Sequence, residues 1–277
     1  MRHALFLPPF DELADPTLLA RIAGEAEQAG WDGLFLWDHV AYLAPVVDIA
    51  DPWVALAAVA CATERLRLGP MVTPLPRRRP IKLAREVATL DRLSGGRLTL
   101  GVGIAGDGGG ELSGTGEQLD ARVRGEMLDE GLEVLAAAWS GEPVHHRGRH
   151  YVLDGITVRP TPLQRPGPPV WVAARHGNPA PLRRAARHDG VFPIGLEQPD
   201  QLRELVAQVQ RLRSPGAGPF DVAAGGRPGT DPRPYAAAGA TWWMVSFPAY
   251  GVRADTVRGV LRDGPDRDSE QTRPGGC

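Results

Sequence analysis

The sequence has little of what marks secreted, membrane or nucleic-acid-binding proteins. Only two cysteines occur among its 277 residues, Cys61 in an alanine-rich run and Cys277 at the end, and the formal net charge is -2. Two cysteines placed in this way predict no disulfide framework and favour a reducing compartment. The nearly balanced charge argues against a polyanion such as a nucleic acid as partner.

Long apolar runs are also absent from the sequence. No stretch approaches the ~18 apolar residues that a membrane span needs. The first residues, MRHALFLPPFDE, are typical of a strand that ends at prolines rather than of a signal peptide. We therefore expect a cytoplasmic protein with no membrane partner.

One stretch, residues 66–104, holds a complete strand, helix and strand. An apolar run over 66–72 stops at a proline cluster, and apolar residues at helical spacing follow from Ile81 to Leu93, with Pro80 in the first turn and Gly95-Gly96 past the end. A second apolar strand begins at Leu98. Two buried strands joined by a helix run parallel, and repeated units of this kind form either an open doubly wound sheet or a closed barrel.

The number of such units decides between the two folds. Eight strands are predicted, at residues 4–7, 33–37, 66–72, 98–104, 170–174, 190–194, 220–224 and 241–247. Eight strands alternating with helices over roughly 250 residues predict a (β/α)8 TIM barrel of the α/β class. Short insertions follow strand 4 and precede strand 5, the second with the character of a hairpin. We expect one domain over residues 1–262 and a disordered tail over 263–277.

In such a barrel the loops after the carboxyl ends of the strands carry the chemistry. Asp38 and His39 end an otherwise apolar strand and are therefore expected at the barrel mouth. Capping a helix or tethering a loop is the alternative role for this pair. Asp91, Arg97 and Glu86 are interpreted as ion pairs at a helix terminus and the barrel bottom rather than as catalysts. Trp242 and Trp243 should point to opposite sides of the last strand.

Several segments resemble the bacterial luciferase-like superfamily, in the right order along the chain. They read AGWDGLFLWDH, TERLRLGPMVTPLPRRRP, ATLDRLSGGRLTLGVG, PLQRPGPPVWVAA and RRAARHDGVFPI. The resemblance implies a TIM-barrel oxidoreductase or monooxygenase that uses either FMN or the deazaflavin coenzyme F420. It also implies a homodimer and a small-molecule substrate.

The same resemblance suggests roles for individual residues. His39 would lie beside the reacting ring as proton donor or hydrogen-bond partner, and Asp38 would orient it or contact the ring edge. A bulge, often with a cis peptide, would support the ring at Met71, Val72 and Thr73, although a cis Thr73-Pro74 bond is also open. The residues expected to contact the cofactor are Phe6, Trp37, Met71, Val72, Thr73, Gly103, Ile104, Ala105, Ala174, Arg175, Gly177, Asn178 and Gly195.

The anionic end of the cofactor needs donors of its own. The loop over residues 174–178 opens a helix, whose free N–H groups suit a phosphate, and Gly195 is a second candidate. Arg77, Arg78 and Arg79 form either a holder for an acidic cofactor tail or a solvated basic loop. His145, His146 and His150 lack the accompanying ligands that a metal site needs, so we expect no metal.

One departure from the family concerns a glutamate acid that some deazaflavin enzymes place after the fourth strand. The nearest acids here are Asp107 and Glu111, and the sequence does not choose between them. Three functional hypotheses result. The first is hydride transfer between F420 and an organic substrate, reducing a C=C or C=N bond. The second is an FMN monooxygenase supplied by a separate flavin or deazaflavin reductase, and the third is a non-enzymatic cofactor-binding barrel.

Overall fold

A computed structural model describes residues 1–265 of the chain, and its strands form one parallel barrel and one small hairpin. In chain order the strands are β1 Arg2–Leu7, β2 Gly33–Leu36, β3 Arg67–Pro70, β4 Thr73–Pro74, β5 Leu100–Gly103, β6 Val144–Arg147, β7 Val152–Ile156, β8 Val170–Arg175, β9 Gly190–Ile194, β10 Asp221–Gly226 and β11 Trp242–Ser246. The helices are α1 Pro16–Gln28, α2 Pro52–Ala62, α3 Pro80–Leu93, α4 Ala121–Trp139, α5 Pro179–Ala185, α6 Pro199–Leu212, α7 Arg233–Ala237 and α8 Ala254–Asp263.

The parallel strands confirm the predicted (β/α)8 barrel. Their order is β3-β2-β1-β11-β10-β9-β8-β5-β4, and the two ends of this sheet meet where Leu68 forms a bridge with Leu98. Strands β3 and β4 are two parts of the third barrel strand, separated by a cis peptide bond between Met71 and Val72. The bulge therefore lies at the position that the family resemblance implies. The cis bonds of residues 1–265 do not include Thr73-Pro74, which was the alternative.

The insertions also take their predicted places. Strands β6 and β7 pair antiparallel as a hairpin, and residues 105–116 form a loop with two short 3-10 turns. Helix α8 runs to Asp263, and residues 266–277 of the predicted tail lie outside the described part of the chain. None of the helices described is long and apolar enough to cross a membrane.

Two apolar layers pack on either side of the barrel wall. The inner layer contains Trp242 with Phe35 and Trp171, whereas Trp243 belongs to the outer layer and packs on Tyr235, with ring centroids 5.0 Å apart. This confirms the prediction for the tryptophan pair, because neighbouring side chains of a strand point to opposite faces.

The predicted ion pairs are wrong for Asp91 and Arg97, whereas Glu86 does form ion pairs. Asp91 instead accepts hydrogen bonds from the backbone N–H groups of Leu163 and Gln164. Arg97 donates to backbone carbonyls, among them that of Ala60 at 2.8 Å. Glu86 pairs with Lys82 and Arg78. Buried backbone groups need partners, and two of these side chains supply them to loops rather than to one another.

Candidate active site

A cavity of about 1070 Å³ opens at the carboxyl ends of the barrel strands and extends outward between α4 and α5. Asp38 and His39 line it. The predicted cofactor contacts that line it are Phe6, Trp37, Met71, Val72, Gly103, Ile104, Ala105, Ala174, Arg175, Asn178 and Gly195. The barrel therefore brings residues from strands far apart in sequence to one wall, as the geometry of parallel strands predicts.

Two of the predicted contacts do not line the cavity. Thr73 is fully buried behind Asp38, where its hydroxyl donates to Asp38 Oδ2 at 2.9 Å and accepts from Trp53 Nε1 at 3.1 Å. Gly177 has a positive φ of 78° and its missing Cβ would point into open space. Thr73 therefore supports Asp38 instead of touching a ligand, and Gly177 shapes the turn before α5.

Asp38 is held by partners other than His39. Its carboxylate accepts hydrogen bonds from Thr73, from Arg77 Nη2 at 3.1 Å, and from Arg78 Nη2 at 2.9 and 3.1 Å. The side chain is 1 % exposed. Asp38 does not orient His39, because both oxygens of this buried carboxylate accept from the threonine and the two arginines. The alternative, that Asp38 contacts the ring edge, stays a prediction.

His39 is oriented by Glu111. The imidazole Nδ1 lies 3.1 and 3.2 Å from the two carboxylate oxygens of Glu111. Burial pushes the pKa of Glu111 up, but the hydrogen bond and charge of His39 and the charge of Arg77 outweigh burial, so the pKa lies below its usual value. Glu111 is therefore an anion that accepts a hydrogen bond from Nδ1–H of His39, which leaves Nε2 as the ring nitrogen that can act on a ligand.

Arg77 joins the two carboxylates. Its Nη1 donates to Glu111 Oε2 at 2.6 Å and its Nη2 donates to Asp38 Oδ1 at 3.1 Å, while the side chain is only 6 % exposed. Arg77 and the partly exposed Arg78 thus supply two positive charges to two buried carboxylates. Both sequence interpretations of these two arginines are wrong, since neither is solvated or free to hold a cofactor tail; Arg79 alone is exposed.

The structure also separates the two candidate acids. Asp107 accepts hydrogen bonds from the backbone N–H groups of Leu112 and Ser113, at 2.8 and 2.9 Å, and so stabilises the turn that carries Glu111. The sequence did not single out Glu111 as the acid beside His39, because the two residues are 72 positions apart and a glycine-rich loop lies between them. Its position after the fourth barrel strand was the available signal, since loops that follow parallel strands meet at one end.

An aromatic cluster surrounds His39. The Tyr42 ring lies 5.0 Å from the imidazole and 5.1 Å from Phe10, and Trp37 packs 5.5 Å from Phe6. Burial, with Glu111 nearby, raises the pKa of Tyr42 above its usual value, so the phenol stays neutral. Phe10 and Tyr42 were missed in the sequence because loop residues show no periodicity. The cluster thus packs aromatic rings around the imidazole of His39.

Gly103 makes room for the bulge. A Cβ at this position would lie 2.8 Å from Val72 Cγ2, closer than real Cβ atoms come to a neighbour. Val72 can therefore cover the end of β5 and present its side chain to the cavity. Val72 and Met71 thus contribute an apolar part of the cavity wall.

Comparison with known proteins identifies the family of this chain. Residues 5–267 match the luciferase-like monooxygenase family. An uncharacterized protein of Mycobacterium tuberculosis is 29% identical over 232 residues, which are 76% of this chain and 77% of that protein. Two solved structures share the fold. An F420-dependent secondary alcohol dehydrogenase has a TM-score of 0.78 at 17% identity, covering 95% of this chain and 98% of that one. The monooxygenase RslO1 of Streptomyces bottropensis has a TM-score of 0.73 at 20% identity, covering 95% and 97%.

Proposed function

Because the chain belongs to the luciferase-like monooxygenase family, we propose that it is an oxidoreductase that transfers a hydride between coenzyme F420 and a small organic substrate. The favoured reaction is reduction of an activated C=C or C=N bond. The observation that carries this proposal is the imidazole of His39 on the cavity wall, fixed through Nδ1 by an anionic Glu111.

The residues of the cavity fit a flat tricyclic ring. Val72 and Met71 supply an apolar face at the bulge, and Gly103 lacks the Cβ that would displace Val72. Ala174, Arg175, Asn178 and Gly195 line the rim where a phosphate would lie. When bound, the deazaflavin supplies or accepts the hydride.

His39 supplies the proton that complements the hydride. With Nδ1 donating to Glu111, a protonated imidazole gives the proton on Nε2 to the substrate atom adjacent to the carbon that receives the hydride. The substrate then gains one hydride and one proton across its double bond, and the neutral imidazole regains a proton from solvent. The negative charge of Glu111 stabilises the positively charged imidazole before this transfer.

An FMN-dependent monooxygenase is the second candidate, and the solved structure of a monooxygenase with the same fold favours it. That enzyme would need reduced flavin from a separate reductase and would consume oxygen. A deazaflavin has carbon in place of a ring nitrogen and reacts poorly with oxygen, so the two candidates differ in cofactor and in oxygen use. A homodimer, implied by the family resemblance, is proposed for either case.

Titration of the purified protein with F420 and with FMN tests the choice of cofactor. We expect quenching of F420 fluorescence with a dissociation constant in the micromolar range and weaker binding of FMN. Arg65→Ala is the control, since this exposed side chain precedes β3 at the opposite end of the barrel and its loss should change neither affinity. Tighter binding of FMN than of F420 would overturn the deazaflavin assignment.

A further inference from the structure

The cavity does not end at the barrel mouth. Between α4 and α5 its walls are formed by Gly125 and Asp129 on one side and by Ala180 and Arg184 on the other. A second recess of about 440 Å³ shares Asp129, Ala180 and Arg184 with the cavity and adds Arg183, Arg187 and Leu212. The cavity and the recess are therefore adjacent, with Asp129, Ala180 and Arg184 common to both.

The recess has an excess of positive charge. Arg184 donates to both carboxylate oxygens of Asp129, at 2.7 and 2.8 Å, and Arg187 donates to Oδ1 of the same carboxylate at 3.0 Å. Arg183 lies exposed on the same helix. Three guanidinium groups thus line a recess whose lining includes one carboxylate. We call Arg183, Arg184 and Arg187 the arginine recess.

Neighbouring groups do not cancel this charge. Glu126, one turn before Asp129 on α4, pairs with Arg122 and Arg149. Burial lowers the pKa of His188, so this side chain adds no further cation near neutral pH. Arg184 is 8 % exposed whereas Arg187 is 66 % exposed. The buried Arg184 positions Asp129, whereas Arg183 and Arg187 are exposed to a ligand from solution, Arg187 while it also donates to Asp129.

We propose that the arginine recess binds the anionic tail of the cofactor beyond its phosphate. This inference rests on the proposed function. F420 carries glutamyl carboxylates past its phosphodiester, whereas FMN ends at a single phosphate, so a recess lined by extra arginines beyond the ring suits the longer anion. Arg77 and Arg78 after the third barrel strand are already paired with Asp38 and Glu111, and Arg79 does not line the cavity.

The size of the effect follows from exposure. Exposed ion pairs contribute about 0.2–1 kcal/mol each and are weakened by salt. Removing Arg183 and Arg187 together should therefore weaken binding of the tailed cofactor about five- to tenfold. The ring itself should bind as before, because neither arginine reaches the wall formed by Met71 and Val72.

The test compares F420 with its tail-less chromophore, the deazariboflavin that lacks phosphate and glutamates. Both are titrated by fluorescence into the wild type, the double variant Arg183→Ala/Arg187→Ala and the control Arg65→Ala, at low and high salt. We expect the double variant to lose about five- to tenfold in affinity for F420 and nothing for the chromophore, with a smaller salt dependence. The control should match the wild type.

The outcomes separate the two proposals. If the double variant binds F420 as tightly as the wild type and with the same salt dependence, the arginine recess has no part in binding and the inference is overturned alone. If both deazaflavins lose affinity equally in the double variant, the arginines act on the ring or on the fold, which also overturns it. If neither deazaflavin binds the wild type, the proposed function and this inference fall together.

Discussion

Replacing Arg77 by methionine is expected to destabilise the folded protein by about 3 kcal/mol, since removal of one partner from a buried ion cluster leaves an uncompensated charge. Arg77 is the group that contacts both Asp38 and Glu111, whose side chains are 1 % and 2 % exposed. Arg78 still serves Asp38, so Glu111 loses most. Thermal melting of the variant and the wild type measures the effect.

The pH dependence gives this prediction a second readout. The pKa of Glu111 is lowered in the folded protein, so its ion pair stabilises the fold above the usual carboxyl pKa and is lost as pH falls through the lowered value. The difference in melting temperature between Arg77→Met and the wild type should therefore be largest near neutral pH and shrink below about pH 4.

A matched control separates the buried cluster from charge in general. Arg149→Met removes the same charge from a side chain that is 67 % exposed and pairs with Glu126. This variant should change stability by less than about 0.5 kcal/mol. An Arg77→Met protein that melts like Arg149→Met at neutral pH would show that the cluster contributes nothing to the fold.

Replacing His39 by alanine is expected to lower turnover by roughly 10²-fold or more, the usual scale for a positioned acid or base. Cofactor affinity should fall much less, because the wall formed by Met71 and Val72 and the phosphate rim remain. Single-turnover oxidation of reduced F420 by activated alkenes and imines, together with the melting temperature of the same sample, measures both quantities.

The tethering role for His39 predicts a different pair of results. Its bond to Glu111 joins the loop after β2 to the loop after β5, so a purely structural histidine would cost stability while turnover per folded molecule stayed nearly intact. His39→Gln is the companion variant, because an amide can keep a hydrogen bond to Glu111 but cannot donate a proton as an acid. Restored stability with turnover still lost supports the catalytic role; an early melting His39→Ala protein with parental turnover contradicts it.

The barrel was predictable because its signals are local. Apolar strands, helical periodicity and the punctuation by proline and glycine gave eight units in order. Helix α5 shows the limit of that reading. The apolar periodicity alone predicts a helix over residues 182–188, but α5 spans Pro179–Ala185, because Asn178 caps it and Pro179 occupies the first turn. That capping signal was present in the sequence and was outweighed by the apolar periodicity.

The polar network could not be predicted, because it depends on contacts between distant loops. The sequence shows three consecutive arginines but not the direction of their side chains. Arg77 and Arg78 point towards Asp38 and Glu111, the two carboxylates that the fold buries nearby, since a buried charge needs a partner. Likewise, the choice of Glu111 over Asp107 depends on how the glycine-rich loop folds, where Gly109 packs against the backbone of Tyr42.

The central claim is that this cavity performs hydride transfer with a deazaflavin rather than oxygen chemistry with FMN. The most direct measurement supplies the protein with reduced F420 and a panel of activated alkenes and imines, with and without oxygen, and follows the return of oxidised F420. We expect oxidation that requires both the protein and an organic substrate and proceeds equally fast without oxygen. No substrate-dependent oxidation of F420, together with oxygen consumption when reduced FMN is supplied instead, would contradict the account.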